Sequence, residues 1–302
     1  MLNKILEISE ENRYVSLYRG FIEIKHKSEV VGRVPIDDIC VLILSAQSVT
    51  FSKNIINALA ERNCITVLCG KNYIPQSIVM PVANHYLYTK NIKNQIDSSL
   101  PFKKKIWQQL VIKKIQNQAF VLKSYGKEYR DLENIANTVK SGDSDNREAY
   151  AAKIYWKRLF GKDFVRDKNG EGTNAQLNYG YAIMRAAMIR ALCAGGLQTA
   201  LGVNHNNNLN QFCLADDFFE IYRPIVDFAV YELWQNNETQ MLPETKRKLV
   251  NVLQATVITE KGNTPAVQSM HYLCNSYIQA MESKKPELAL PMWTGGSLNE
   301  RK

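Results

Sequence analysis

The chain has no apolar run long and charge-free enough to span a bilayer, no Cys-x-x-Cys pair, no internal repeat, and too few acids to balance its bases. The first absence excludes a membrane-spanning helix. The N-terminus, MLNKILEISEENRYVSL, puts acidic residues where a secretory signal would continue its apolar core, so the expectation is a cytoplasmic protein. The six cysteines, Cys40, Cys64, Cys69, Cys193, Cys213 and Cys274, lie scattered, mostly among apolar neighbours. Without paired spacing they read as buried thiols in a reducing compartment, and not as zinc ligands or a redox pair. Acids number 29 against 38 Lys and Arg, a formal charge of +9. A surface of that sign attracts polyanions, nucleic acid first among them. With 45% hydrophobic and 22% charged residues over 302 positions, the composition supports a sizeable core in one or two domains.

Strand signals fill the first eighty residues. RYVSLYRGFIEIKH alternates Val15 and Leu17, then Phe21, Ile22 and Ile24, around Gly20, and EVVGRVPI follows a short polar turn. CVLILS, Cys40 to Ser45, is a continuous apolar run suited to a strand covered on both faces. Ile55, Ile56, Leu59 and Ala60 recur at helical spacing behind Ser52, a competent cap, and CITVLCG and SIVMP read as two further strands. Residues 83–100 show no clear period and read as a linker. Beyond Leu100, seven segments have helical period, from FKKKIWQQLVIKKIQNQAFVLKSYG to PAVQSMHYLCNSYIQAMES, and several close on Gly as helix C-caps do. The predicted class is therefore α+β: a β-rich domain over 1–82, a linker over 83–100, a larger all-α domain over 101–293 and a frayed tail over 294–302.

Glu148 opens the segment NREAYAAKIYWKRLFG, with Ser144, Asp145 or Asn146 available as its cap. On a helix, positions 148, 151, 152, 155 and 159 form one stripe, which puts the carboxylate on the side of Ala151, Ala152, Tyr155 and Leu159. An acid in a first turn is ordinarily a partner for the helix dipole, but in apolar company it needs a counter-ion, and a metal is one. His205 lies in the amide-rich loop LGVNHNNNLN, where a surface hydrogen-bonding role and a ligand role both fit. In ADDFFEIYRP, Leu214, Phe218, Ile221 and Ile225 make an apolar stripe bordered by acids. Asp217 stands three residues from Glu220 and Asp216 four, so either shares its face; the repulsion, about 0.2–0.5 kcal/mol, suits a solvated surface as well as a metal site. Glu148, His205 and these acids together would make a mixed oxygen and nitrogen site for Mg2+ or Mn2+, with positions open to phosphate oxygens. Metal-assisted attack on a phosphodiester is chemistry such a site serves.

VPIDDICVLILSAQSVTFSKNIINALAERNCITVLCG, NREAYAAKIYWKRLFG, NAQLNYGYAIMRAAMIRALCAGGLQTALGVNH and LADDFFEIYRPIVD occur in that order between Val34 and Asp227. Together they resemble the CRISPR-associated integrases of spacer acquisition, the Cas-one family, in its type II branch. The resemblance implies a β-sandwich-like N-terminal domain that mediates homodimerisation, a helical catalytic domain, and a Mg2+- or Mn2+-dependent site. That site falls on Glu148, His205, Asp217 and Glu220, with catalytic roles on Glu148, His205 and Glu220. The family's acid spacing selects Asp217 over Asp216. The implied reaction is a transesterification in which the 3′-hydroxyl of a short foreign DNA attacks a phosphodiester at the edge of a CRISPR repeat. The implied partners are double-stranded DNA and a dimer of the second CRISPR-associated protein bridging two integrase dimers, for which the segment after Pro291 is one place. Arg223 and the clusters Lys103, Lys104, Lys105 and Lys113, Lys114 are expected to meet DNA phosphates. Asn174 and Tyr179 in NAQLNYGY recur in the family near the site; by residue type alone they are an N-cap and a core aromatic. Two other functions fit the same residues: a stand-alone metal-dependent nuclease on branched or single-stranded DNA, and a non-catalytic DNA-binding scaffold whose acids are structural.

Overall fold

Alternating apolar positions become paired strands where a tight turn brings them together. Strand β2 (Arg13–Tyr18) and strand β3 (Phe21–His26) pair antiparallel, with Tyr18 opposite Phe21. The two turn residues, Arg19 and Gly20, both have positive φ, 48° and 80°, the mirror-image turn whose twist matches paired strands. The computed structural model describes residues 4–70, 75–81 and 85–295, in two compact units, Met1–His85 and Tyr86–Lys302.

In the first unit, strand β1 is Lys4–Ile8, β4 Glu29–Pro35, β5 Ile39–Leu44, β6 Val49–Phe51, β7 Ile65–Cys69 and β8 Pro75–Val79, with helix α1 at Lys53–Glu61. They form two four-stranded sheets, ordered β4-β3-β2-β6 and β1-β5-β7-β8. Val15 and Ile22 of the first sheet, Ile8, Leu42 and Leu44 of the second, and Ile55 and Leu59 of α1 share one core. All six residues of β5 are buried, as the unbroken apolar run predicts, and β5 runs parallel to both its neighbours.

The second unit is mainly helical: α2 (Tyr88–Asp97), α3 (Leu100–Ser124), α4 (Arg130–Asn137), α5 (Arg147–Phe160), α6 (Thr173–Ala194), α7 (Cys213–Phe219), α8 (Arg223–Gln235), α9 (Pro243–Val250) and α10 (Ala266–Ser283). Helix α2 lies inside the stretch expected as a linker, of which residues 83 and 84 fall outside the described residues. Its period escaped notice because its buried positions are amides. Asn91 donates to the Gly195 carbonyl at 2.9 Å and Gln95 to the Gln198 carbonyl at 3.0 Å. The unit is also not all-helical. Strands β9 (Thr256–Thr259), β10 (Gly262–Pro265) and β11 (Met292–Trp293) form a small sheet in the order β10-β9-β11. β-Branched residues around a glycine turn win there over the helical pattern that precedes them. From residue 296 on, the expected tail lies outside the described residues.

The expected helix through ADDFFEIYRPIVD is broken. A single 3-10 turn, Glu220–Tyr222, separates α7 from α8: Pro224 has no N–H to give the Glu220 carbonyl, which accepts from the Arg223 N–H instead. Helices α7 and α8 pack against both α3 and α6, the two longest helices, and the turn between them packs against α3. This sets Glu220 on an irregular turn inside the core, 5% exposed.

Candidate metal and DNA-processing site

Several segments of the second unit supply the site. Asp143, ahead of α5, accepts from the Arg147 and Glu148 N–H groups at 2.8 and 3.0 Å, and so fixes the backbone that carries Glu148. Neither Ser144, Asp145 nor Asn146 caps the helix through its side chain. Helix α3 contributes Lys114, whose ammonium donates to Glu148 Oε1 at 2.5 Å and stands 2.5 Å from Glu220 Oε2. Glu220 Oε2 is buried, and the Lys114 ammonium is its close partner. Arg223 Nε lies 2.9 Å from Glu220 Oε1, without an aligned hydrogen bond. Burial pushes the Glu220 pKa up, but Arg223 and Lys114 outweigh it and hold the carboxyl below its ordinary range. Burial also opposes the Lys114 charge, and Glu220 and Glu148 more than restore it.

The histidine loop is bound to α7 through Asp217, which is fully buried. Asp217 Oδ2 accepts from the Val203 and Asn204 N–H groups at 2.6 and 3.0 Å, and Oδ1 from the His205 N–H at 3.1 Å. His205 Nδ1 lies 2.6 Å from the same Oδ1. A donor at Nδ1 leaves the lone pair of neutral imidazole on Nε2, the atom free to bind a ligand. The hydrogen bond to Asp217 raises the His205 pKa against the pull of burial, and the charges of Asp217, Glu220 and Glu148 add to it. Gly202 permits this loop. A Cβ there would meet the His205 carbonyl at 2.4 Å and Asp217 Oδ2 at 2.9 Å. The His205 ring stands edge-on to buried Trp107, with centroids 5.7 Å apart.

Asp216 points elsewhere. Arg185 grips it through Nε at 2.5 Å and Nη2 at 2.9 Å, and Asn210 donates to it at 2.6 Å. Of the two aspartates that helix geometry left equivalent, Asp217 is the one that faces His205. Its four donors occupy both oxygens, so it orients the loop and the imidazole.

The expected phosphate contacts divide. Lys104 and Lys105 are exposed and Lys103 half-buried on the first turns of α3. Burial lowers the Lys113 pKa. Lys114 departs from the expectation, because it is turned inward and spent on the acids. The Arg223 guanidinium lies over Phe219 at 4.3 Å and Tyr181 at 4.8 Å beside Glu220. Asn174, in the first turn of α6, accepts from Arg166 and the Asp167 N–H and donates to the Val165 carbonyl, each at 3.0 Å, and so holds the preceding loop. Tyr179 is buried in the core.

Below the acids lies a group that the sequence reading did not find. Asp227 of α8, 1% exposed, accepts from Tyr155 of α5 at 2.9 Å and from Tyr181 of α6. Burial lifts its pKa to about 6 although both hydroxyls and Arg223 oppose the rise.

Among the described residues, no three His, Cys, Asp or Glu side chains stand close enough together to hold a metal ion in this arrangement. The donor types present fit a divalent ion: a buried carboxylate on Glu220, a half-buried Glu148 across Lys114 from it, and a lone pair on His205 Nε2.

A family model described as CRISPR associated protein Cas1 matches residues 6–263. The chain belongs to the Cas1 family. It is 35% identical over 282 residues to the CRISPR-associated endonuclease Cas1 of Neisseria meningitidis serogroup C (strain 8013), covering 92% of each chain. Among solved structures it is similar to a casposase bound to integration product, with TM-score 0.76, 20% identity, and coverage of 98% of this chain and 94% of that one. It is also similar to a chain of a Cas6-RT-Cas1–Cas2 complex, with TM-score 0.75 and 16% identity over 95% of this chain and 36% of that one. At those identities the likeness to the two structures is one of fold, and the Cas1 membership rests on the sequence matches.

Proposed function

We propose that the chain is a metal-dependent DNA endonuclease and integrase that joins short foreign DNA to a CRISPR repeat by transesterification. The observation that carries this reading is the buried Glu220 carboxylate placed across Lys114 from Glu148. Glu148, Glu220 and His205 through Nε2 would hold Mg2+ or Mn2+. Bound there, the ion supplies a lowered pKa for the attacking 3′-hydroxyl and charge stabilisation for the five-coordinate phosphorus. The chain's own residues do the positioning. Asp143 sets the first turn of α5, Pro224 breaks the helix at Glu220, and Asp217 holds the imidazole with Nδ1 engaged. Exposed Lys104 and Lys105, with Lys103, are the surface offered to DNA phosphates.

Relatives support the partners. One structural neighbour is a casposase on integration product, and another stands in a complex with Cas2; DNA and Cas2 are proposed for this chain on that ground. Homodimerisation is supported by Tyr14, Tyr18 and Phe21, which are exposed apolar groups on one face of the β4-β3-β2-β6 sheet. The test is a strand-transfer assay with Mn2+, a 3′-ended duplex and a repeat-containing target, with and without Cas2. Joined product is expected. Cleavage without joining would leave a stand-alone nuclease, and neither reaction would leave a scaffold.

A further inference from the structure

We propose that Lys114 is the resident counter-cation of the Glu148 and Glu220 pair and competes with the divalent ion for it, so that metal enters as the ammonium leaves. The inference rests on the metal-site reading above and deepens it. Lys114 sits mid-way along α3 on the stripe of Leu110, Val111, Gln118 and Val121, positions that the helix otherwise gives to the core, and only 10% of its side chain is exposed. An uncompensated ammonium at that depth would be costly, and two carboxylates compensate it. Its nitrogen lies 2.5 Å from Glu148 Oε1 and 2.5 Å from Glu220 Oε2. These carboxylates are the two proposed to ligate metal, and the Glu220 atom is fully buried.

Lys114 and a divalent ion would seek the same facing oxygens, Glu148 Oε1 and Glu220 Oε2. An ion bound to those oxygens would stand close to the Lys114 nitrogen, and the two positive charges would repel across shared carboxylates. Charge counting leads to the same place. Glu148, Asp217 and Glu220 supply three negative charges, and Lys114 and Arg223 return two, so the site is close to neutral before any ion arrives. Affinity for hard divalent cations follows the net charge of the ligand set, so Lys114 weakens binding while it keeps the carboxylates in place. Arg223 does not compete in this way, because it holds the opposite Glu220 oxygen, Oε1, and is backed by Phe219 and Tyr181.

A purely structural lysine and a competing one give opposite results when the charge is removed. Mn2+ is titrated calorimetrically into the full-length wild type, Lys114→Met and Glu220→Gln. Competition requires Lys114→Met to bind Mn2+ at least about tenfold tighter than wild type, since a neighbouring positive charge has been deleted. Its metal-free melting temperature falls, and Mn2+ raises it by more than it raises the wild type's. Equal or weaker Mn2+ affinity in folded Lys114→Met overturns the proposal and leaves the metal site standing. Wild type and Glu220→Gln binding Mn2+ alike would overturn the metal-site reading, and the proposal with it. A second measurement needs no variant: acetylation of wild-type lysines, read by mass spectrometry, finds Lys114 protected without metal and reactive with saturating Mn2+. Protection unchanged by Mn2+ would overturn the proposal even if Lys114→Met does not fold.

Discussion

Replacing Asp227 with asparagine changes how the stability of the helical unit depends on pH. The carboxyl is 1% exposed between Tyr155 and Tyr181, and its pKa rises from 3.8 to about 6, chiefly through burial. A carboxyl whose pKa is higher folded than unfolded binds more protons in the folded state, so its favourable contribution is full below the unfolded pKa. That contribution is lost as pH climbs through the folded value. The difference of about two units corresponds to roughly 3 kcal/mol, of which about half is already lost by pH 5 and the rest, on the order of 1–2 kcal/mol, disappears between pH 5 and 8. Asparagine keeps the shape and can still accept from one tyrosine while donating to the other, but it does not titrate. Urea unfolding of wild type and Asp227→Asn at half-unit intervals over that range reads the effect as a difference, so pH effects common to both proteins cancel. Wild type should lose on the order of 1 kcal/mol relative to the variant between pH 5 and 8, levelling off above about pH 7.5. A difference independent of pH, or one that moves in wild type's favour as pH rises, would refute the reasoning.

The neighbouring aspartates should separate cleanly. Asp217→Asn puts amide hydrogens against the donors of the histidine loop and is expected to weaken Mn2+ binding by about 10–100-fold in calorimetric titration, while Asp216→Asn leaves it within about twofold. Asp143→Ala removes the side-chain acceptor of two helix N–H groups and should cost about 1 kcal/mol in chemical denaturation. Glu220→Gln, which alters a ligand and not its support, should lower the rate of DNA joining by more than about a hundredfold, with circular dichroism unchanged.

What the sequence made legible followed hydrophobic period and local chemistry. The β5 run, the strands around Gly20 and the helices after Leu100 carry patterns that a buried strand or an amphipathic helix requires, and they form those elements. Helix α2 stayed hidden because its inward positions are Asn91 and Gln95, which bury amides through hydrogen bonds and leave no apolar stripe to read. The small sheet was missed where the β-branched Thr256–Thr259 strand follows directly on a helical segment. At the site, helix geometry put Asp216 and Asp217 on equal footing, and only the fold sends Asp216 to Arg185 and Asp217 to His205. Lys114 was grouped with the surface bases by its neighbours in sequence. Its spacing from Leu110 and Val111 was the available signal that it faces inward. The Asp227, Tyr155 and Tyr181 cluster joins three helices, and no linear spacing announces it.

Glu148, Glu220 and His205 Nε2 are proposed to hold one divalent ion. Anomalous X-ray scattering from crystals soaked in Mn2+ tests it most directly. The expected result is a single manganese peak among these three side chains, with Lys114 withdrawn from the carboxylates and Asp217 still hydrogen-bonded to His205 Nδ1. A peak ligated instead by Asp217 or Asp216, or Glu148 and Glu220 still bridged by Lys114 at saturating Mn2+, would contradict it.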